Sequence, residues 1–317
     1  MATVASSCAG FDYSATVFGD EDFVDVQART WGAVRMRRCL ESLAGVKGRV
    51  LEVGCGAGRC IRTIRRHRPD LEAFGCDLSA RSIDAARRHN DGVEYETADA
   101  VALPYEDAAF DAVVVMDLLE HVADVGRVLA QIRRVCKPGA TLHLHVPCEG
   151  SALTLYRPLL AMGIDLTRDA VGHIHHFTRR QVLDWLAQAG FVVTRRRYSM
   201  YGFAQLHDII GWRAMLSRRR DLDRPHPDAA PHTASSNAAA QPVPQSRFHA
   251  KHLLTRPAWW LIRTLLPRLQ YYELALLSWQ PLGSVGLCVT ARRCRSRSGP
   301  LRRGHIPSGG TVAVSRS

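Results

Sequence analysis

Between Arg49 and Arg59 the chain reads RVLEVGCGAGR, an apolar run that gives way to glycine at every second position. Glu52, Gly54, Gly56 and Gly58 share one E-x-G-x-G-x-G frame. Val50, Leu51 and Val53 predict a short buried strand, and the glycines let the turn after it bring backbone against a ligand before a helix begins. In a dinucleotide site such a turn meets a pyrophosphate, which a carboxylate two residues ahead of the first glycine repels. Glu52 stands at that position. The frame therefore favours a ligand carrying an ammonium or sulfonium charge over one carrying phosphate.

Four more stretches follow in order. Leu71 to Cys76 is a second apolar run ending in Asp77; Thr97 to Leu103, TADAVAL, places Asp99 and Ala100 at the end of a third strand. Phe110 to Asp117, FDAVVVMD, is a fourth strand followed by LLEHV, and Cys136 to Val146 supplies a lysine-proline-glycine turn and a fifth. Five elements in this order closely resemble the class I methyltransferases that depend on S-adenosyl-L-methionine (SAM). HIHHFTRRQVLDWLAQAGF, from His173, is similar to the late region of the subgroup that includes ubiquinone and menaquinone biosynthetic methyltransferases. The resemblance implies an α/β fold, a doubly wound, Rossmann-like sheet of seven strands, with SAM held by Glu52, Gly54, Cys55, Gly56, Gly58, Asp77 and Asp99. Leu78, Ala100 and Asp117 adjoin it, and Asp77 is placed to accept the ribose hydroxyls.

Strands alternating with helices require parallel pairing and right-handed crossovers, hence a sheet covered on both faces. Arg59 to His67 is predicted as a helix stopped by Pro69, and Ser79 to Asn90 as a second with Ser79 as N-cap. Gly92 to Glu96 reads as a short strand. Val125, Leu129, Ile132 and Val135 mark an amphipathic helix. Thr178 and Gln181 form a capping box before Val182, Leu183 and Leu186, Gly190 ends that helix, and Phe191 to Tyr198 is a sixth strand. Ahead of the core, residues 1–44 form an arm and a helix from Arg29 to Leu43, with Arg35, Arg37 and Arg38 on exposed faces; Tyr13 or Arg29 is a candidate contact to the methionine end of SAM. The core spans residues 45–200.

The expected seventh strand does not follow promptly. The best match, Ser284 to Ala291 (SVGLCVTA), implies a helical insertion before the last strand, over residues 201–283, with a mobile Pro/Ala/Ser/His-rich linker at 221–250. Ala258 to Gln280 is strongly apolar, yet Arg263, Pro267, Arg268 and Glu273 argue against a membrane span. It suits helices lying in a lipid headgroup region, a lid over the acceptor site, or helices packed on the domain surface. The net charge of +12 resembles that of a nucleic-acid binder, but residues 292–317 alone hold seven arginines and no acid, which assigns much of the excess to a basic tail. The absence of an N/D-P-P-Y/F motif and of an appended RNA-binding module weighs against RNA methylation. A membrane-associated scaffold that has lost turnover is the other alternative. Nine cysteines without a C-x-x-C pair, and an N-terminus unlike a secretory signal, indicate a reduced, cytoplasmic protein, with membrane contact through 258–280 as an added reading.

Methyl transfer from a sulfonium needs positioning more than acid catalysis, since the leaving group is neutral. A hydroxyl acceptor still needs a base within hydrogen-bond reach. His121, His173 and His176 are the catalytic candidates, beside His175, and Pro147 to Gly172 is read as the wall of a site for a small, lipophilic acceptor. His173, His175 and His176 with Cys148 or Glu149 match no structural zinc spacing, so no metal is expected.

Overall fold

The computed structural model describes residues 17–222 and 256–295. Tyr13, most of the linker and the tail beyond residue 295 lie outside those residues. Seven strands form one sheet: β1 (Gly48–Val53), β2 (Leu71–Asp77), β3 (Glu94–Thr97), β4 (Phe110–Met116), β5 (Cys136–Pro147), β6 (Phe191–Ser199) and β7 (Gly286–Arg293). Their order is β3-β2-β1-β4-β5-β7-β6. The first five strands pair in parallel, whereas β7 runs antiparallel to both neighbours, with Val146 opposite Leu287 on one side and Tyr198 opposite Leu287 on the other.

Alternation along the central strands builds two cores. On β1 and β4, Leu51, Val53, Val113 and Val115 face one layer, while Val50, Ala112 and Val114 face the other. Both faces are covered, so these strands read as continuous apolar runs rather than alternating ones. The first layer receives α4 (Val125–Val135), whose Val125, Val128, Leu129, Ile132 and Val135 are buried, and α7 (Arg179–Gln188), which begins at the expected capping box. The second receives α1 (Trp31–Ser42), α2 (Arg59–His67) and α3 (Ala80–Arg87, N-capped by Ser79).

Helix α1 departs from the expected arrangement of its charges. Arg35 reaches the tip of β4, Arg37 donates to the carbonyls of Val26 and Ala28, and Arg38 donates to the Tyr198 carbonyl at 3.2 Å. None of the three is a freely solvated arginine; each lays its aliphatic stem along the protein and finds an acceptor at its end. Pro147 to Gly172, irregular by pattern, contains two short helices, α5 (Tyr156–Ala161) and α6 (Leu166–Val171). Between β6 and β7 lie α8 (Gly202–Leu222) and α9 (Arg256–Leu277). The apolar stretch is thus one helix that carries Pro267 within it. Among the described residues no helix is long and apolar enough to cross a membrane. Buried Gln205 pins this insertion to the core: its amide donates to the carbonyls of Met200 and Gly283 at 2.6 and 2.7 Å and accepts from Leu155 N at 2.7 Å.

Strand β5 buries Leu142 and Leu144 on one face and His143 and His145 on the other. His143 is fully buried and among the described residues its Nδ1 has no hydrogen-bond partner; burial, then the neighbouring His145, push its pKa down to about 3. Above pH about 6.5 both folded and unfolded states hold it neutral. Between that value and 3 the unfolded chain takes up a proton that the folded chain refuses, so stability falls as pH falls. Relative to a His143→Leu variant, the wild type should lose about 3 kcal/mol between pH 6.5 and pH 4, at up to about 1.4 kcal/mol per pH unit. Parallel urea melts of both proteins across this range test it; equal slopes refute the assignment.

Candidate active site

The glycine turn leaves β1 with Gly54, Gly56 and Gly58 all at positive φ, 76°, 54° and 85°. A side chain is disfavoured at each by sterics alone. The turn uses its own donors. Gly54 N and Cys55 N donate to Cys76 O at 2.8 and 3.0 Å, Gly56 N to Asp77 Oδ2 at 2.8 Å, Ala57 N to Phe18 O at 2.7 Å, and Gly58 N to Cys55 O at 2.9 Å. Every N–H from Gly54 to Gly58 therefore has a protein acceptor. A pyrophosphate site depends on such groups being free to point at the ligand. This turn offers none, so it fits a cofactor without phosphate.

Glu52 supports that turn from behind. Its carboxyl is 2% exposed and accepts the Ile61 N–H at 2.8 Å, joining β1 to the first turn of α2. Burial, then Cys60, push its pKa well above the carboxylate range. Glu52, expected to meet a cationic ligand, thus has its side chain turned inward, on the face of β1 that it shares with buried Val50.

Asp77 stands at the end of β2 with one oxygen on Gly56 N and the other on Ser79 N, at 2.8 and 2.9 Å. Each carboxylate oxygen keeps a further lone pair, enough to accept two hydroxyls. Burial raises its pKa while the two N–H bonds oppose the shift. Leu78 beside it is 50% exposed, an apolar surface at the mouth. Asp99, past β3, accepts Val101 N at 3.1 Å, and Ala100 is buried next to it. Asp77, Leu78, Asp99 and Ala100 thus sit at the carboxyl ends of adjacent strands β2 and β3. The arm crosses the turn: Phe18 caps Ala57, and buried Arg62 donates to Gly19 O and Glu21 O at 3.2 and 2.7 Å.

Past β4, Asp117 adopts φ 53°, a conformation most side chains avoid and one concentrated at functional sites. Its carboxylate binds Arg35 and takes a 2.6 Å bond with His145 Nδ1. Burial acts to raise its pKa, but Arg35 and His145 hold it well below the usual carboxylate range. Trp31 covers the pair, with the Arg35 guanidinium 4.2 Å from its ring and the His145 ring edge-on at 5.8 Å. Sequence reasoning missed Arg35 and His145. The histidines at alternate positions of an otherwise apolar strand were the available signal.

A second cluster follows within one turn, Leu119–His121. Glu120 is fully buried, and among the described residues neither carboxylate oxygen has a side-chain hydrogen-bond partner, His121 Nε2 lying 3.9 Å from Oε1. His121 and His173 meet with ring centroids 4.9 Å apart. His173 Nδ1 lies 2.7 Å from Oε1 of Glu149, itself buried, with no hydrogen-bond partner for Oε2 among the described residues. Burial, then His173, push His121 down to about 4, while burial and Asp117 push Glu120 well above its usual value. The other histidines are used elsewhere. His176 Nε2 lies 3.0 Å from both Thr167 Oγ1 and Asp165 Oδ1 at the head of α6, and His175 Nε2 lies 2.9 Å from Val122 O with its ring stacked on Phe177. Of the three catalytic candidates, the structure brings His121 and His173 together and turns His176 away.

A doubly wound sheet, a glycine turn that satisfies its own N–H groups and an acid at the end of the next strand define the nucleoside-cofactor fold of class I methyltransferases. A family model described as a methyltransferase domain matches residues 27–196. The chain belongs to this methyltransferase family, whose cofactor is SAM. It is similar to the ubiquinone/menaquinone biosynthesis C-methyltransferase of Desulfotalea psychrophila, 34% identical over 33% of this chain and 44% of that protein. It is also similar to the 27-O-demethylrifamycin SV methyltransferase of Amycolatopsis mediterranei, 34% identical over 39% and 47%. The chain spans about half the length of these curated relatives. In fold it resembles geranyl diphosphate C-methyltransferase from Streptomyces coelicolor A3(2), crystallised with Mg2+, geranyl diphosphate and S-adenosyl-L-homocysteine. The TM-score is 0.51 at 15% identity, covering 83% of this chain and 79% of that one.

Proposed function

We propose that the protein transfers a methyl group from SAM to a small, lipophilic acceptor. The observation that carries this reading is the glycine turn, whose N–H groups are all taken by protein acceptors, beside an aspartate able to receive ribose hydroxyls. Gly54, Cys55, Gly56 and Gly58 shape the cofactor surface, Asp77 holds the ribose, Leu78, Asp99 and Ala100 border the adenine, and Asp117 fixes the edge nearest the methionine end. When bound, SAM supplies an electrophilic methyl group on a sulfonium. An acceptor electron pair would take that methyl as the carbon–sulfur bond breaks, the sulfur would leave as a neutral thioether, and a protic acceptor would lose its proton to bulk water. Alignment of acceptor and methyl is what the protein contributes. Glu120, His121, Glu149 and His173 provide the polar side of the acceptor site.

Its apolar side is the segment after β5, which exposes Leu153, Leu155, Met162 and Ile164. The relatives named for quinone and rifamycin methylation are consistent with an acceptor of that character. Incubating the protein and methyl-labelled SAM with lipid, small-molecule and RNA fractions tests the proposal. Label is expected in an organic-soluble product; label confined to RNA, or none in any fraction, refutes it.

A second reading concerns where the acceptor is met. Leu265, Tyr272, Leu276, Trp279 and Leu282 are exposed along and just beyond α9, in a strongly basic chain. Aromatic and aliphatic side chains on an exposed helix face suit contact with an anionic lipid surface. Replacing Leu276 and Trp279 with serine should lower co-sedimentation with anionic vesicles severalfold while leaving the melting temperature unchanged. Undiminished sedimentation removes this reading.

A further inference from the structure

The cluster beyond β4 has a feature that a hydrogen-bonded role leaves unexplained. Glu120 is enclosed by protein, yet among the described residues neither carboxylate oxygen has a side-chain hydrogen-bond partner, and His121 Nε2 stands 3.9 Å from Oε1. Buried carboxylates are ordinarily paired, hydrogen-bonded or bound to a metal. The atoms around Glu120 are themselves metal donors: one carboxylate oxygen of Glu120 and one nitrogen each of His121 and His173 all lie within 4.8 Å of one another.

The backbone holds these three residues rigidly. Glu120 and His121 share a single turn, and Gly172, at φ 79°, redirects the chain after α6 so that His173 arrives beside them. The carbonyl of Glu120 accepts Ile174 N at 2.9 Å and His175 N at 3.4 Å, and His173 N donates to Thr167 O at 3.3 Å. The Nδ1 atoms of both histidines face oxygen acceptors, Glu149 Oε1 at 2.7 Å for His173 and Gly172 O at 3.4 Å for His121. A ring whose Nδ1–H donates to one of these oxygens carries its lone pair on Nε2. Ligation through Nε2 uses that tautomer, and a carboxylate behind the imidazole is the usual outer partner of a ligating histidine.

We propose that Glu120, His121 and His173 hold one divalent first-row transition metal ion, with Glu149 as the positioning residue for His173. Two imidazoles and one carboxylate suit Zn2+, Fe2+ or Mn2+ better than Ca2+ or Mg2+, which favour sets made wholly of oxygen. Bonds of about 2.0–2.2 Å place ligand atoms roughly 3–3.5 Å apart, so the three side chains would draw together on binding. Three protein ligands leave coordination positions open, as in catalytic rather than structural sites. Resting on the methyltransferase reading, the inference adds to it that an acceptor oxygen, phenolic or enolic, would occupy such a position, where the cation's charge would lower its pKa so that the proton passes to bulk water and the oxyanion takes the methyl group. This set differs from the one considered in sequence, because it joins adjacent residues after β4 to a histidine more than fifty positions later.

The test uses the full chain, stripped with a chelator and titrated with Zn2+ in competition with a chromophoric chelator, alongside Co2+ substitution followed by visible absorption. The expected result is one equivalent of Zn2+ per chain and a Co2+ spectrum of nitrogen-containing, low-coordinate ligation. His173→Ala and Glu120→Gln should each weaken binding by about 100-fold or more, and Glu149→Gln by about 10–100-fold. Wild-type protein that takes up no stoichiometric metal, or lacks that Co2+ spectrum, overturns the proposal even if a variant misfolds. So does binding that survives both His173→Ala and Glu120→Gln in folded protein, since it then belongs to other histidines. SAM is titrated into the same preparations: SAM binding without metal binding sinks this inference alone, whereas metal binding without SAM binding sinks the functional reading and leaves the site standing.

Discussion

Replacing Asp77 with alanine should raise the dissociation constant for SAM by about two to four orders of magnitude. The carboxylate retains lone pairs for two ribose hydroxyls, and a hydrogen bond to a charged group contributes about 1.5–3 kcal/mol. Two such bonds give about 3–6 kcal/mol, which converts to that range of affinity. The structure adds a second effect. Asp77 also receives the N–H groups of Gly56 and Ser79, so the substitution removes an anchor of the glycine turn and the Asp77 link into the start of α3. The ligand-free variant should therefore melt at a lower temperature, with a stability loss of about 1–2 kcal/mol. Calorimetric titration and thermal melts of the same preparations read both. Unchanged affinity for SAM would remove Asp77 from the cofactor site, and an unchanged melting temperature would limit its role to the ligand.

Gly56→Ala should destabilise the protein by about 2–5 kcal/mol. Alanine at φ 54° carries the steric cost of the left-handed region, about 1–2 kcal/mol. The added carbon would also lie 2.5 Å from the carbonyl oxygen of Phe18, which is backbone and cannot rotate away. Overpacking of that kind costs about 1–3 kcal/mol. Relief requires the arm to lift, breaking the Ala57–Phe18 hydrogen bond and pulling on the carbonyls held by Arg62. Limited proteolysis should accordingly cut near Phe18 faster in the variant. Gly32→Ala is the contrasting substitution: Gly32 lies within α1, with nothing within 4 Å of an added carbon, so it should stabilise by about 0.5–1 kcal/mol. If both variants melt with the wild type, the packing of arm on turn is refuted.

Much of the framework was legible because it is written in contiguous residues. Arg59–His67 lies between a glycine that permits the turn and a proline that stops the helix, and it appears with the predicted bounds. The Thr178–Gln181 capping box and the buried stripe of α4 are likewise local patterns. The seventh strand was recognisable as a strand from SVGLCVTA. Its place was not: β7 lies between β5 and β6, separated from β6 along the chain by the whole insertion.

Side-chain direction and long-range pairing belonged to the tertiary structure. Glu52 carries the motif's charge in sequence, but strand alternation turns it into the protein, where it holds the Ile61 N–H. Arg35 looked like a solvated helix charge until the packing of α1 brought it to Asp117 and His145. Three histidines near residue 175 looked equivalent, and only the turn at Gly172 separates His173 from His176. The amino-acid order by itself determined the alternating strands and helices, the glycine turn and the acid after it, because dihedral preference and apolar period act over a few residues. Only the folded chain decided which charged groups meet, because contacts between residues tens of positions apart depend on how the sheet and its covering helices pack.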